Sequence, residues 1–312
     1  MTEPLRPMNL GGILDRGVQI FRAQPLLFLG LAAMPGLAQL GSALASVHPR
    51  QVTYLGPAHV LLVLASYLAS FVFWVAHLVL QAIITAALCL AASRVNLGEA
   101  ITVRSAYNAY APRAGRMIWL GILQAIFAFW PFIIVAFIAF PMAAAGFSIF
   151  WQVPVWALGS IPCIALYTRV ALAFPAAAME DLPATDSMQR SARLGEGGRW
   201  RICGGLLVPM LPAFILAGGS VGLLEVLKGS SPLLAGSPLV VAGINGIVEL
   251  VATLVFTPYA AIVLTLLYYD QRIRREGFDV ERMIQTAGLD ATAPPPNASP
   301  WTQLGEDWKG DA

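Results

Sequence analysis

Charge is what this sequence has least of. Only 12% of its 312 residues are Asp, Glu, Lys or Arg, and 58% are hydrophobic; soluble domains run at about 25% and 45–50%. A water-soluble fold of this length could not hide so much apolar surface. Between Met117 and Thr168 there is no Asp, Glu, Lys, Arg or His at all. One membrane span needs about 20 residues, so that stretch is expected to hold two spans and a short turn. Cysteine is scarce as well. Cys89, Cys163 and Cys203 lie in or beside apolar runs, at spacings that fit neither a disulfide framework nor a metal motif, and read as packing residues. Histidine is limited to His48, His59 and His77. No phosphate loop, zinc spacing or serine elbow occurs, so the sequence points to no catalytic residue, no metal and no cofactor. Its basic residues are spread along the chain, which argues against nucleic acid as a partner.

What the sequence has instead is length in its apolar runs. Six stand out, at 25–47, 58–92, 116–140, 147–178, 201–224 and 241–269, and they predict an all-α, polytopic transmembrane bundle. Pro131 and Pro258 are expected kinks, because proline lacks the backbone donor and crowds the preceding turn. The first run follows a polar lead with Arg6, Asp15, Arg16 and Arg22, so it reads as a retained span and not a cleaved signal. Seventeen of the 19 Lys and Arg residues fall in the lead, the second and fourth connections and the tail; the other three loops hold only Arg50 and Lys228. That alternation predicts six spans with both termini cytoplasmic. The division follows: a cytoplasmic lead with an amphipathic helix over 1–24, a six-span domain over 25–282, and a disordered cytoplasmic tail over 283–312. The tail carries Pro294, Pro295 and Pro296 and little apolar matter.

Self-comparison suggests an internal triplication. Arg104-Ser105-Ala106 recurs as Arg190-Ser191-Ala192, preceded by Leu97 and Leu182, and a weaker copy opens at Arg16-Gly17-Val18. The units run over about 12–97, 98–183 and 184–282. Each would be an amphipathic helix followed by two spans. Three basic amphipathic helices are then expected at the cytoplasmic interface, with Ile20, Phe21, Tyr107 or Tyr110 dipping into the acyl boundary.

Three stretches carry a family resemblance: Leu5 to Arg16, Ala173 to Arg201 with Met179-Glu180-Asp181, and Leu267 to Asp279 with Tyr268-Tyr269-Asp270-Gln271-Arg272. Together they resemble the bacterial membrane domain named after glycerophosphoryl diester phosphodiesterases, which implies residence in a bacterial inner membrane. In fused members, the resemblance implies, a separate soluble barrel performs the hydrolysis. This chain has no segment for such a barrel, so the resemblance implies membrane residence and no phosphodiesterase activity.

The candidate residues are polar groups inside apolar runs. Glu249 is the one carboxylate within a span, and Asn245, Glu249, Thr253 and Thr257 recur every fourth residue, a stripe along one helix face. Counted from Tyr269 at 1.5 Å per residue, Glu249 lies about 30 Å away, near the outer interface. His77 shares a face with Ser66, Ser70, Gln81 and Thr85, as a proton relay or as interhelical glue. Arg16, Arg104, Arg169 and Arg190 are candidate contacts for anionic headgroups, with Arg169 also able to pair with Glu180 or Asp181 across a bend at Pro175. Gly218 and Gly222 form a small-xxx-small pair suited to close helix approach. Trp119, Trp130, Trp151 and Trp200 suit interfacial anchoring.

From these residues the leading expectation is a non-enzymatic membrane protein that supports or organises an envelope process. Its partners would be the bilayer, anionic headgroups or other membrane proteins. The alternative is a transporter for a small or lipidic solute using the Glu249 stripe. A phospholipid enzyme built on Arg169, Glu180 and Asp181 is the third possibility.

Overall fold

The computed structural model describes residues 8–47, 57–146, 149–231 and 236–277; the tail over 283–312 lies outside them, as do Arg6, Arg50 and Lys309. Every element among the described residues is helical. In chain order these are α1 (Leu10–Ala23), α2 (Pro25–Ala45), α3 (Pro57–Asn96), α4 (Val103–Tyr110), α5 (Ala114–Ala144), α6 (Ile149–Val170), α7 (Ala173–Glu180), α8 (Ala184–Gly195), α9 (Arg199–Ser230) and α10 (Pro238–Glu276). Six helical segments are long and apolar enough to cross a membrane. The order short helix, long helix, long helix runs three times through the described chain, beginning at α1, α4 and α8.

Local chemistry sets the helix starts and stops. Asn9 caps α1 by accepting from the Gly12 N–H at 2.7 Å. Thr102 and Ser105 form a reciprocal capping box at α4. Gly277 ends α10 at φ +64°, where a glycine carries no Cβ penalty. Asp181 ends α7 in the same left-handed region, which Asp tolerates better than most residues.

The fourth apolar run is not one helix. α6 stops at Val170, and α7 restarts at Ala173, which puts Pro175 in a first turn, where its missing N–H leaves no gap. The groups freed by the break find distant partners. Ser191 Oγ donates to the Arg169 carbonyl at 2.9 Å and accepts from the Leu172 N–H at 3.0 Å. Gln124 Nε2 donates to the Val170 carbonyl at 3.0 Å. α5 and α10, by contrast, continue through Pro131 and Pro258. Proline in α2 has its own remedy: Pro35 cannot bond the Leu31 carbonyl, and the Tyr107 hydroxyl donates to it at 2.9 Å.

The amphipathic helices turn their apolar faces into the bundle. Ile13, Gly17 and Ile20 of α1 are buried, with Tyr259 and Val263 of α10 at Gly17. Ala106 and Tyr110 of α4 are buried as well, and the Tyr110 hydroxyl donates to the orphan carbonyl of Ala178 near the end of α7. Ile20 and Tyr110, expected to dip into lipid, therefore sit in the protein core. The Arg-Ser-Ala triplets also differ in placement. Ser105 is exposed in the first turn of α4, whereas Ser191 is buried in the middle of α8.

Around the core, α10 packs on α2, α9 and α3, and α2 packs on α3; α5 and α6 form a second pair. The close approaches use glycine. A Cβ on Gly36 would lie 2.7 Å from Leu250 Cδ1, and one on Gly246 would lie 2.7 Å from Leu40 Cδ1, so α2 and α10 exchange a leucine for a notch in each direction. Gly218 and Gly222, read as a close-approach pair, face open space instead.

Candidate functional site

Two contacts fix the register of the long helices at the arginine-rich end. The Ser93 and Tyr269 hydroxyls meet at 2.6 Å, joining α3 to α10. Arg201 donates to the fully buried Asp270 at 2.8 Å, joining α9 to α10. Twelve residues along each helix from these contacts, about 18 Å at 1.5 Å per residue, stand Gln81, Thr257 and Ala213. All three line one cavity of about 510 Å³.

The two polar stripes line that cavity together. Glu249, Thr253 and Thr257 descend α10 one turn at a time, and His77, Gln81 and Thr85 descend α3 the same way; all six line the space. Much of the remaining lining is apolar and comes from α9, including Met210, Phe214 and Ala217, with Tyr167 of α6 among the lining residues. At the end far from the arginines, Gln39 Nε2 of α2 donates to Glu249 Oε2 at 2.8 Å. The His77 ring meets the Pro35 carbonyl at 2.9 Å through Nδ1, one turn along α2 from Gln39. Thr85 returns its hydroxyl to the Gln81 carbonyl at 2.7 Å. Gln81 Oε1 is buried with no hydrogen-bond partner. Asn245 belongs to the α10 stripe but lies outside this lining, where Ser220 of α9 meets it at 3.2 Å.

Sequence reasoning found both stripes and missed Gln39, whose only signal was being the one amide side chain beyond the first turn of its apolar span. It also passed over Asp270, which has no exposed side-chain surface. Asp270 accepts from Arg201, from Arg274 at 2.9 Å and from the Met8 N–H at 3.0 Å; both arginines also donate to the Met8 carbonyl.

The candidate headgroup arginines divide. Arg190 donates on one side to Glu180 at 2.9 Å and on the other to Glu276 at 2.7 Å, and these carboxylates raise its already high pKa, Glu276 most. It is therefore a half-buried tie between α7, α8 and α10, and not a free cation. Tyr268 donates to the same Glu180. Arg16 bonds Asn96 Oδ1 at 3.2 Å and Gln19 at 3.3 Å. Arg104 and Arg169 are exposed and have no ion pair among the described residues. Arg169 pairs with neither Glu180 nor Asp181: the first belongs to Arg190, and the second to Arg113, at 2.8 Å, and Arg116. The trio Arg169, Glu180 and Asp181 is thus not assembled. Among the described residues no group of three His, Cys, Asp or Glu side chains could hold a metal ion.

Residues 8–271 match a family described as a domain of unknown function, DUF7847. The match does not name the phosphodiesterase-associated membrane domain that the sequence resembles. No curated protein and no solved structure matches the chain.

Proposed function

We propose that the chain, which belongs to the DUF7847 family of unknown function, is an inner-membrane protein that binds an apolar-bodied solute in this cavity and passes it between sites in or across the bilayer. The carrying observation is the convergence of Glu249, Thr253, His77 and Gln81, from two helices, on one cavity. Polar side chains in a long apolar helix are costly unless they bond one another or face a cavity, and here they face one. The arginine-rich end is taken as cytoplasmic, with both termini there. On that orientation the Gln81–Thr257 level lies about 18 Å from the inner polar contacts, close to the middle of a hydrocarbon layer about 30 Å thick.

The surrounding helices are suited to opening. Pro209 and Pro212 interrupt the α9 hydrogen-bond ladder and Pro258 that of α10, all at the level of the cavity. Missing backbone bonds there lower the cost of bending. The opposite end of α10 is held by Arg190, Glu180 and Glu276, so motion would concentrate above that tie. The three-fold order of short and long helices supports an origin by internal repetition, a common plan among transporters.

Cysteine accessibility tests this reading without a known solute. In a protein whose native cysteines are replaced by alanine, Ala213→Cys in nanodiscs is expected to react with a water-soluble thiosulfonate reagent. Lack of reaction at Ala213→Cys, with an exposed control such as Arg104→Cys reacting, would count against a solute path.

A second reading rests on Arg104 and Arg169, which are exposed and unpaired among the described residues. They would hold anionic headgroups and give the protein a supporting or organising role. Equal retention of phosphatidylglycerol and phosphatidylcholine by the purified protein would remove it.

A further inference from the structure

The chemistry of the cavity wall is one-sided. Among the described residues Glu249 is its only formally charged side chain, and neither lysine nor arginine contributes to the lining. An anionic headgroup in this space would find no cation and would meet a carboxylate. Deeper in, Gln81 presents a carbonyl oxygen that is buried and accepts nothing. A buried acceptor left unbonded is costly, so this side-chain oxygen suits a group that brings a hydrogen. The remaining surface is largely aliphatic and aromatic, from Met210, Phe214, Ala217 and Phe256.

We infer that the cavity takes a cationic amphiphile: an apolar body carrying a protonated amine that pairs with Glu249, with a second donor able to reach Gln81 Oε1. The inference rests on the cavity reading above and adds the sign of the ligand. Glu249 is well placed as a counter-ion, because Gln39 fills only one of its oxygens at 2.8 Å and Oε1 has no partner among the described residues. The leucine-and-glycine notches between α2 and α10, at Gly36 and Gly246, fix Gln39 against Glu249 and so hold the carboxylate in place. Counted by helix rise, Glu249 and Gln81 are offset by about 12 Å along the bundle axis, a span that an elongated molecule can bridge and an inorganic cation cannot. The basic exterior and the acidic interior thus select different things. Arginines at the inner end suit anionic lipid, while the cavity excludes it.

The test uses Ala213→Cys in nanodiscs of zwitterionic lipid, its modification rate followed with a neutral thiosulfonate reagent. Decylamine, decanol and decanoate serve as probes that share a chain and differ in head. Decylamine is expected to slow modification about tenfold more than decanoate does, and decanol to fall between them. Glu249→Gln, which keeps the side-chain size and a partner for Gln39, is expected to abolish the difference between amine and carboxylate while protection by decanol persists. Equal protection by amine and carboxylate, or a preference that survives Glu249→Gln, overturns the cationic assignment and leaves the cavity reading standing. A cysteine at 213 that no probe protects overturns both. Gln81→Leu separates the second contact: a diamine such as 1,10-diaminodecane should lose its advantage over decylamine in that variant, and an unchanged advantage removes Gln81 from the site.

Discussion

The side chains of Gln39 and Glu249 meet at 2.8 Å although 210 residues separate them. The contact joins the first long helix to the last at the head of the cavity, and it sits between two glycine notches that bring those helices together. Interhelical hydrogen bonds of this type contribute about 0.6–1.7 kcal/mol in membrane bundles. Gln39→Leu is therefore expected to lower stability by about that amount, read from unfolding in mixed micelles. Glu249→Gln should fall well short of it, since an amide oxygen can still accept.

Gly159 tests close packing between α5 and α6. A Cβ there would lie 2.0 Å from Val135 Cγ2 and 3.1 Å from Val135 Cβ, and a β-branched neighbour cannot swing aside. Gly159→Ala is expected to cost about 1–3 kcal/mol, with recovery in the Gly159→Ala, Val135→Ala double variant. Gly218→Ala, in open space, should be neutral or slightly stabilising.

Ser191 and Ser105 share a sequence triplet and should respond differently. Ser191→Ala strips partners from the Arg169 carbonyl and the Leu172 N–H at the α6–α7 break, both in buried surroundings. A loss of about 1–3 kcal/mol is expected, with faster amide exchange at 171–173. Ser105→Ala removes half of an exposed capping box, and about 0.5–1 kcal/mol should go with it.

Asp181 supplies a pH signature. The hydrogen bond from Arg116, then the charges of Arg116 and Arg113, hold its carboxyl below the ordinary value of 3.8. A carboxylate whose pKa is lowered by folding contributes stability that is fully present above the unfolded value. That stability disappears as pH falls through the folded value. Amide exchange across α7 should therefore rise on acidification below 3.8, and Asp181→Asn should show part of that rise already at neutral pH. Asp181→Asn keeps the left-handed turn available, so the difference reports charge and not backbone conformation.

The long helices were readable because each lies in an apolar run, and their ends fall within about eight residues of the expected bounds. Both polar stripes were readable too, since i, i+4 spacing fixes a helix face without reference to anything else. Their meeting was not. It depends on how α2 wedges between α3 and α10, and the Gly36 and Gly246 notches that permit this look no different in sequence from Gly218 and Gly222, which face open space. The bend expected at Pro175 falls instead at 171–172, and its position was hidden for a similar reason. Prolines elsewhere pass through intact helices, and what makes this interruption tolerable is Ser191 and Gln124, 19 and 46 residues from the atoms they satisfy. Arg190 misled because charge alone suggests a lipid contact, while its two carboxylate partners come from other helices.

Met8, held by Asp270 across 262 residues, constrains the order of assembly. During synthesis the opening helix emerges first, yet its main packing partner and the carboxylate of its backbone clamp both belong to α10. Until that helix is inserted, α1 lacks its largest contact surface, and α2 lacks one of its two principal neighbours. Closure of the bundle therefore waits for insertion of α10, and a truncation before Asp270 would strand the first helices as surely as the last.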